Sequence, residues 1–431
     1  MTRDEILDMV EQEDVEFIRL QFTDMFGNLK NVAVTANQLA KVLDKKCAFD
    51  GSALFDETRA SEEELYLAPD LDTFVVLPWR PQQRRVARLL CDIHDRKGNE
   101  YNLSPRYILK EVLNKAREKG YDFYVDPQCE FFLFHLDDNG IPTTLTHEKA
   151  GYMDVGPMDL GENARRDMVM ALEEMGFEIE SSHHQKAPGQ HEIDFGEAEA
   201  LEIADSIITF RSAVKSTARR FGLHASFMPK PKKGVAGSGM HMNFSVYKDG
   251  KNIFNSKDDE LKDEAKAFIA GIMEHARAMC VVTNPLVNSY KRINSGFEAP
   301  KEIRCSRKND NSLLRVSARY AEDTKLEIRF PDSAANPYLA IALCVMAGLD
   351  GIEKGLVLDD SSSKLTEDKK TVEQLPGTLR EAISIVANDS FLSDVLGCEF
   401  VDIYIKAKLN EWDEYMEEVS DWEVKTYLSK V

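Results

Sequence analysis

Alternating apolar and polar positions predict short strands in the first hundred residues. Residues 15–22 and 29–34 each alternate with a period of two, and a turn between them would make a hairpin. Residues 73–78 and 85–92 follow the same period and predict two further strands. Together with a helix that begins near Thr35, these strands predict a small α+β domain.

The pattern changes to that of helices after Ser104. Ser104 is a favourable N-cap and Pro105 suits the first helical position, which predicts a helix that ends at Gly120. Amphipathic helices alternate with strands further along the chain. They are predicted at about 161–175, 199–221 and 258–282, with a helical region from about 376 onward. We therefore divide the chain into a domain of residues 1–103 and a domain of residues 104–431.

Four predicted strands of the second domain carry polar residues two positions apart, and such residues share one face of a strand. The shared faces hold Gln128 with Glu130, Gln190 with Glu192 and Asp194, His241 with Asn243 and Ser245, and Glu327 with Arg329. For any one strand, a solvent-exposed face explains this pattern. Because buried carboxylates are costly without cations, the four strands together favour a metal-lined funnel. Carboxylates with a single imidazole suit Mg²⁺ or Mn²⁺ better than zinc.

Two segments add candidate groups for binding phosphate and carboxylate. Residues 234–239 are rich in glycine, which lets a ligand approach the backbone closely. Residues 284–300 combine turn residues, cations and Glu298, a composition suited to a mobile flap. For a single arginine a surface salt bridge is the commoner role, but three arginines could hold anionic oxygens in bidentate fashion. They are Arg292, Arg315 and Arg329.

Composition argues against several classes of function. The net charge of −21 over 431 residues is unfavourable for a nucleic-acid partner. No stretch approaches the roughly 20 apolar residues of a membrane helix, and the N-terminal residues lack the apolar core of a secretory signal. The seven cysteines are scattered without a CxxC pair, which predicts reduced thiols and a cytoplasmic protein.

Longer sequence motifs follow one another through the chain. They are residues 20–24, 49–52, the Glu130 strand, and residues 182–184, 187–192, 227–231, 237–241, 284–300 and 334–340. In this order they resemble the signatures of type I glutamine synthetase, in its short bacterial alpha-type form. The resemblance covers nearly the whole chain, and several long motifs in the family order make it specific. It implies an α+β protein, with an N-terminal β-grasp domain and a C-terminal catalytic domain whose antiparallel sheet forms a funnel flanked by helices.

The resemblance also implies an activity and an assembly. Members of the family use ATP to join ammonia to L-glutamate, through γ-glutamyl phosphate, and they release glutamine, ADP and phosphate. ATP is a substrate, and two or more Mg²⁺ or Mn²⁺ ions assist at each site. The implied assembly is a homododecamer of two hexameric rings with active sites between neighbouring subunits. The short subtype implies regulation by feedback or by a protein partner.

The resemblance finally implies roles for individual residues. The implied metal ligands are Glu130 and Glu192 at one ion and His241 and Glu327 at the other, with Gln128 and Gln185 at positions that usually supply one further ligand to each ion. The implied glutamate-binding residues are Gly237, Arg292, Glu298 and Arg329. The residues implied near ATP are Glu180, Phe195, Asn243, Ser245 and Arg315. The implied catalytic residues are Asp50, which a neighbouring subunit lends to bind and deprotonate ammonium, Glu298, which closes the flap, and Arg315, which meets phosphate oxygens.

Four positions depart from the family pattern. Gln128 and Gln185 stand where the motifs usually have glutamate, Asp310 where an arginine is expected, and Ala236 where an asparagine is expected. The first two changes each remove a negative charge from a metal site, and the third places an acid near phosphate. We therefore expect weaker metal binding and weaker phosphate binding, with Arg307 and Lys308 as neighbouring cations that could partly compensate.

Three hypotheses about activity follow. The first is an active glutamine synthetase, favoured because Asp50 and Glu298 suit the capture of ammonium. The second is a γ-glutamyl-amine ligase, or a ligase that activates another carboxylate. The third is a catalytically weakened, ring-forming paralogue with a regulatory role, for which Gln128, Gln185 and Asp310 are the evidence.

Overall fold

A computed structural model gives the structure of most of the chain. It describes residues 1–44, 47–55, 63–80, 83–146, 148–255, 260–308, 311–318, 324–358 and 372–430. Asp310 lies outside the described residues. The helices are α1 (Arg3–Gln12), α2 (Leu39–Leu43), α3 (Pro105–Glu118), α4 (Glu162–Glu174), α5 (Ala200–Arg220), α6 (Asp263–Thr283), α7 (Val287–Ile293), α8 (Pro337–Lys354), α9 (Leu379–Val386), α10 (Phe391–Leu396), α11 (Cys398–Glu417) and α12 (Asp421–Tyr427). The strands are β1 (Val15–Thr23), β2 (Leu29–Thr35), β3 (Cys47–Asp50), β4 (Glu64–Pro69), β5 (Val75–Val76), β6 (Arg85–His94), β7 (Tyr121–Leu136), β8 (Pro142–Thr146), β9 (Ile179–His184), β10 (Gln190–Phe195), β11 (Ala198–Glu199), β12 (Leu223–Ser226), β13 (Met240–Lys248), β14 (Lys251–Asn252), β15 (Cys305–Ser306), β16 (Leu314–Ala318) and β17 (Thr324–Ile328).

The N-terminal part of the chain forms a six-stranded sheet in the order β2-β1-β6-β4-β3, with β5 paired to β6. The predicted hairpin is present as β1 and β2, which pair antiparallel. The β1 strand also pairs parallel with β6, so that Ile18 lies opposite Ala87. Apolar side chains such as Ile18 and Leu20 are fully buried between this sheet and the α1 helix.

The second part of the chain forms an eleven-stranded sheet in the order β15-β16-β17-β13-β7-β10-β9. Of the remaining four strands, β8, β11 and β12 pair with β7, and β14 pairs with β13. The β7 strand is 16 residues long and lies between β13 and β10. Among the described strands of this sheet, all pairs except β15 with β16 are antiparallel. The predicted α+β class, with an antiparallel sheet flanked by helices in the second part of the chain, is therefore confirmed.

The helices pack against this sheet through a large common core. The α6 and α8 helices approach each other closely at Gly351, where an added Cβ would lie 2.2 Å from the carbonyl oxygen of Ala267. The α8 helix is buried on nearly all sides, and its N-terminus is capped by Asn336, whose side chain accepts a hydrogen bond from the amide of Tyr338 at 3.1 Å. No helix among the described residues is both long enough and apolar enough to cross a membrane.

The predicted secondary structure differs from the structure at several places, among them the α8 helix, which was not predicted. Residues 73–78 contain only the two-residue strand β5, because a 3₁₀ turn occupies Leu71–Thr73. The predicted loop at 284–300 begins with the α7 helix. The α1 helix was not predicted, although Thr2 and Glu5 form a capping box at its start.

A buried ion-pair cluster joins the two parts of the chain at the start of α3. The guanidinium of Arg106 lies 2.6 Å from Asp70, 2.6 Å from Asp92 and 2.8 Å from Asp205. Asp92 belongs to β6 in the N-terminal sheet, whereas Asp205 belongs to α5. The hydroxyl of Tyr338 donates a further hydrogen bond to Asp205 at 2.6 Å. We refer to these five residues as the Arg106 cluster.

Candidate active site

The polar faces of four strands meet in one pocket of about 220 Å³. Strand register explains the meeting, because β7 places Gln128 opposite His241 of β13 and places Glu130 opposite Glu192 of β10. Of the predicted site residues, the pocket is lined by Gln128, Glu130, Gln185, Glu192, Gly237, His241, Arg292, Glu298, Arg315, Glu327 and Arg329. The structure therefore brings together eleven predicted residues from distant segments of the chain.

In one half of the pocket, no lysine or arginine among the described residues lies within ion-pair distance of the carboxylates Glu130 and Glu192. Glu130 is buried, and its Oε2 atom accepts a hydrogen bond from the amide of Gly239 at 2.5 Å. Glu192 is buried as well, and it accepts a hydrogen bond from the Gln185 side-chain amide. Burial raises the pKa of Glu130 and raises the pKa of Glu192 well above its ordinary value, and the negative charge of Asp194 adds to the second shift.

The other half of the pocket surrounds one carboxylate with cations. Oε1 of Glu327 lies 3.3 Å from Nδ1 of His241 and 3.4 Å from Nε of Arg329, and its Oε2 atom pairs with Arg315. Burial alone would raise the pKa of Glu327, but the hydrogen bond from His241 and the charges of the two arginines lower it to about 2. Glu327 is therefore ionised throughout the neutral range.

The glycine-rich segment forms part of the wall because a larger side chain does not fit there. A Cβ at Gly237 would lie 2.2 Å from the carbonyl oxygen of Pro229. Arg292 lies nearby, nearly fully buried, and its guanidinium donates to the carbonyl oxygens of Phe330 at 3.2 Å and of Arg329 at 3.4 Å. The segment thus lets the backbone approach the pocket beside a fixed arginine.

Lys186 is a pocket residue that the sequence analysis missed. Its ammonium pairs with Glu298, on the segment predicted to be a flap, and lies 5.7 Å from the centre of the Tyr152 ring. With Lys186 included, the pocket lining has four carboxylates and four cationic side chains. A lysine that directly follows Gln185 could have been noticed, but the sequence pattern did not show that it faces the same pocket.

Five predicted site residues lie outside this pocket. Asp50 is exposed at the end of β3, where it accepts a hydrogen bond from the amide of Ser52 at 2.9 Å, and it lines a separate surface cavity. Asn243 donates to the carbonyl oxygen of Asp126 at 3.3 Å, and Ser245 donates to Glu197. These two residues follow His241 along β13, so they extend the polar face of the pocket.

The other two residues lie on β9 and β10. Glu180 is exposed, and its charge helps to raise the pKa of Asp126, which burial brings to about 6. Phe195 is buried against the rings of Phe177 and Phe210 at 5.3 Å and 5.5 Å, and it lines a third cavity.

The unpaired half of the pocket fits a divalent cation. Three side chains beside it, His183, Glu192 and Asp194, offer ligand atoms that all lie within 4.8 Å of one another. Within the described part of the chain, Nε2 of His183 and Oδ1 of Asp194 are buried and have no hydrogen-bond partner, and Nε2 of His183 lies 3.9 Å from Oε1 of Glu192. Buried carboxylates with an orphaned imidazole nitrogen are the chemistry that a hard cation such as Mn²⁺ or Mg²⁺ would satisfy. His183 and Asp194 are therefore candidate ligands that the sequence analysis did not assign.

A buried network supports this half of the pocket from behind. His184 bonds Glu148 at 2.9 Å through Nε2 and the carbonyl oxygen of Gln185 at 2.6 Å through Nδ1. Glu148 also accepts a hydrogen bond from the amide of Gly189 at 2.6 Å. Burial alone would lower the pKa of His184, but these contacts raise it. Because both ring nitrogens of His184 are engaged, the network holds the backbone that carries Gln185.

The chain is similar to known proteins over nearly its whole length. The family description "Glutamine synthetase, beta-Grasp domain" matches residues 14–96, and "Glutamine synthetase, catalytic domain" matches residues 102–427. Glutamine synthetases from Clostridium saccharobutylicum and Thermus thermophilus are 49% and 46% identical to it, and each comparison covers at least 99% of both chains. A solved structure titled "Apo GmaS without ligand" superimposes with a TM-score of 0.87 at 30% identity, covering 98% of this chain and 99% of that chain.

Proposed function

Because this chain belongs to the glutamine synthetase family, we propose that it joins ammonia to L-glutamate at the expense of ATP. The products are L-glutamine, ADP and phosphate, with γ-glutamyl phosphate as the intermediate. The observation that carries this proposal is the single pocket in which paired and unpaired carboxylates lie beside Arg292, Arg315 and Arg329. Such a site can bind metal and phosphate oxygens on one side and a substrate carboxylate on the other.

Divalent ions would lie on two sets of side chains in this pocket. Glu130, Gln185 and Glu192 would hold one ion, and Gln128, His241 and Glu327 would hold another. In the first set, the Gln185 amide now donates to Glu192, so its oxygen must turn toward the ion. In the second set, Arg315 and Arg329 contact Glu327 and must yield one carboxylate oxygen. When bound, the ions neutralise charge on the phosphates of ATP. Mg²⁺ and Mn²⁺ both suit these ligands.

The chain's own residues position the reactants. Arg292 and Arg329 bind the glutamate carboxylate beside the backbone of Gly237, which fixes the γ-carboxylate for attack on the γ-phosphate of ATP. Arg315 stabilises negative charge on the phosphoryl group as it is transferred. Glu298 closes over the pocket after leaving Lys186, and the closed flap keeps water from the acyl phosphate.

We place the nucleotide along the polar face that continues from His241. Asn243 and Ser245 extend this face on β13. Phe195 on β10 and Glu180 on β9 lie beyond β7 in the same sheet. Support comes from strand order, since β13, β7, β10 and β9 are neighbours in one sheet.

Asp50 completes the site only if a second copy of the chain supplies it. It lines a different cavity of its own subunit, and its exposed side chain is accessible to a neighbour. This supports the assembly of two six-membered rings with shared active sites. The acidic groups Asp50 and Glu298 favour ammonium over a bulkier amine as the substrate. Seven free cysteines suit a cytoplasmic location.

One assay tests this function. Phosphate release is measured with glutamate and ATP, with and without ammonia, across a titration of Mg²⁺ and of Mn²⁺. We expect turnover that requires ammonia. Turnover only with an organic amine would instead identify a γ-glutamyl-amine ligase. Assembled rings without turnover at any metal concentration would identify a regulatory paralogue. That result would agree with the loss of a glutamate at Gln128 and at Gln185 and of an arginine at Asp310.

A further inference from the structure

A second, larger cavity of about 670 Å³ lies between the N-terminal sheet and α5. It shares no lining residue with the candidate active site. The basic side chains in its lining are Arg19 on β1, Arg211 and Lys215 on α5, His224 on β12 and Lys408 on α11, of which Lys408 pairs with Glu411 at 2.9 Å. None of the described residues that line it is acidic, although 75 of the 431 residues in the chain are Asp or Glu. The cavity is thus a concentrated positive region in an acidic protein.

Arg211 has no carboxylate within ion-pair distance among the described residues. Its Nη2 atom donates to the carbonyl oxygen of Ala335 at 2.8 Å and lies 3.6 Å from the sulfur of Met240. Burial lowers the pKa of Arg211, and the nearby charge of Asp332 does not fully offset this effect. A desolvated guanidinium that lacks an anionic partner is costly, and an anion in the cavity would remove that cost.

Lys215 lies one helical turn beyond Arg211 and faces the same ring. Both cations lie over Phe227, at 6.0 Å for Arg211 and 5.6 Å for Lys215. Like charges four residues apart on a helix repel each other. Loss of solvent and the charge of Arg211 lower the pKa of Lys215, and loss of solvent and the charge of Lys215 lower the pKa of His224. The fold therefore gathers basic groups that disfavour one another's charged forms.

We propose that this cavity binds a small organic anion with at least two negatively charged carboxylate or phosphate oxygens, held by Arg211 and Lys215. The apolar or planar part of the anion packs against Phe227 and against Phe26, which lies on the loop after β1. The anion contacts both the N-terminal sheet and α5, so it strengthens the contact between them. This binding site is separate from those for glutamate and ATP.

Calorimetric titration of the full chain tests the proposal, with citrate as the carboxylate probe and inorganic pyrophosphate as the phosphate probe. We expect at least one probe to bind and to raise the melting temperature. Lys215→Met and Arg211→Gln should each weaken binding by about tenfold or more, because each removes a charge-assisted hydrogen bond. Lys115→Met is the matched control, since Lys115 is an exposed lysine of α3 outside both cavities. The tighter-binding probe identifies the preferred oxygen chemistry.

Arg315→Met distinguishes this cavity from the candidate active site. Binding that persists in Arg315→Met but weakens in Lys215→Met supports the proposal. Binding lost in Arg315→Met and unchanged in Lys215→Met would place the anion in the active site and overturn it. Equal binding in every variant, or no binding of either probe to the unmodified chain, would also overturn it. If Arg211→Gln does not fold, Lys215→Met alone decides, because Lys215 is the more exposed of the two side chains.

Discussion

The Arg106 cluster and the candidate active site both bury carboxylates, but they compensate the charge differently. In the cluster, Arg106 contacts three aspartates, and Lys110 adds a second cation beside Asp92 at 2.5 Å. In the pocket, Glu130 and Glu192 are buried beside hydrogen-bond donors that carry no charge. Burial alone would raise the pKa of Asp92, yet Arg106 and Lys110 lower it, whereas the pKa values of Glu130 and Glu192 rise.

This contrast separates a structural role from a functional one. A buried carboxylate paired with a cation of the chain itself makes the fold depend on that cation, because removing the cation leaves a buried charge uncompensated. A buried carboxylate without a cation weakens the fold until a ligand supplies the charge. Four variants or pairs of variants test this distinction, in order of decreasing expected effect.

Arg106→Leu should lower the free energy of unfolding by about 3–5 kcal/mol, because three aspartates lose their common cation. Chemical denaturation followed by circular dichroism measures the loss. Arg117→Leu on the same helix is the control, since Arg117 pairs with Glu199 at the surface and should contribute about 1 kcal/mol or less. Equal losses in the two variants would remove the distinction between the cluster and an ordinary surface pair.

Arg315→Leu should lower kcat/KM about 10²–10³-fold, because a charge that stabilises the transferring phosphoryl group is lost. The free energy of unfolding should fall by about 1–3 kcal/mol, less than for Arg106→Leu, because Glu327 keeps His241 and Arg329 as partners. Phosphate release and denaturation are measured on the same preparation. Arg277→Leu, which removes a surface arginine paired with Glu373 and Glu381, should leave the rate unchanged. A stable variant with full activity would contradict the role of Arg315.

Gln128→Glu combined with Gln185→Glu should tighten Mn²⁺ binding about tenfold for each added charge. Without metal, the same double variant should unfold more easily, because Gln185→Glu replaces a hydrogen bond to Glu192 with repulsion. Calorimetry measures the affinity and denaturation measures the stability. Unchanged affinity would mean that these two side chains do not face the metal ions.

Two acid-to-amide variants should change metal-free stability in opposite directions, each by about 1–2 kcal/mol near neutral pH. The pKa of Asp92 is lower in the folded protein than in the unfolded chain. Its ionised form therefore stabilises the fold above the unfolded pKa, and this stability is lost as the pH falls through the folded pKa. Asp92→Asn should therefore destabilise the protein. The pKa of Glu192 is higher in the folded protein than in the unfolded chain. Ionising Glu192 therefore lowers the free energy of unfolding, and this loss grows as the pH rises from the unfolded pKa to the folded pKa. Glu192→Gln should therefore stabilise the protein. Denaturation across a pH series tests both signs, and a shared sign would contradict the comparison.

The amphipathic helices and the alternating strands were predictable because each has one apolar face and one polar face, and the spacing of these faces shows the period. The α3, α5 and α6 helices were predicted to within a few residues of their bounds. The α8 helix was not, because it is buried on nearly all sides and therefore has no polar face to mark its period. The motifs supplied most of the pocket-lining residues, but Lys186, His183 and Asp194 received no role, since nothing local shows which side chains meet across strands.

The sequence by itself determined which polar side chains share the face of a strand, because that pattern has a period of two and depends only on neighbouring residues. It therefore identified Gln128 with Glu130, and Glu327 with Arg329. Only the tertiary structure decided which faces meet, because the register between strands is set by contacts between distant parts of the chain. That register leaves Glu192 without a cation, surrounds Glu327 with them, and keeps Asp50 away from the pocket of its own subunit.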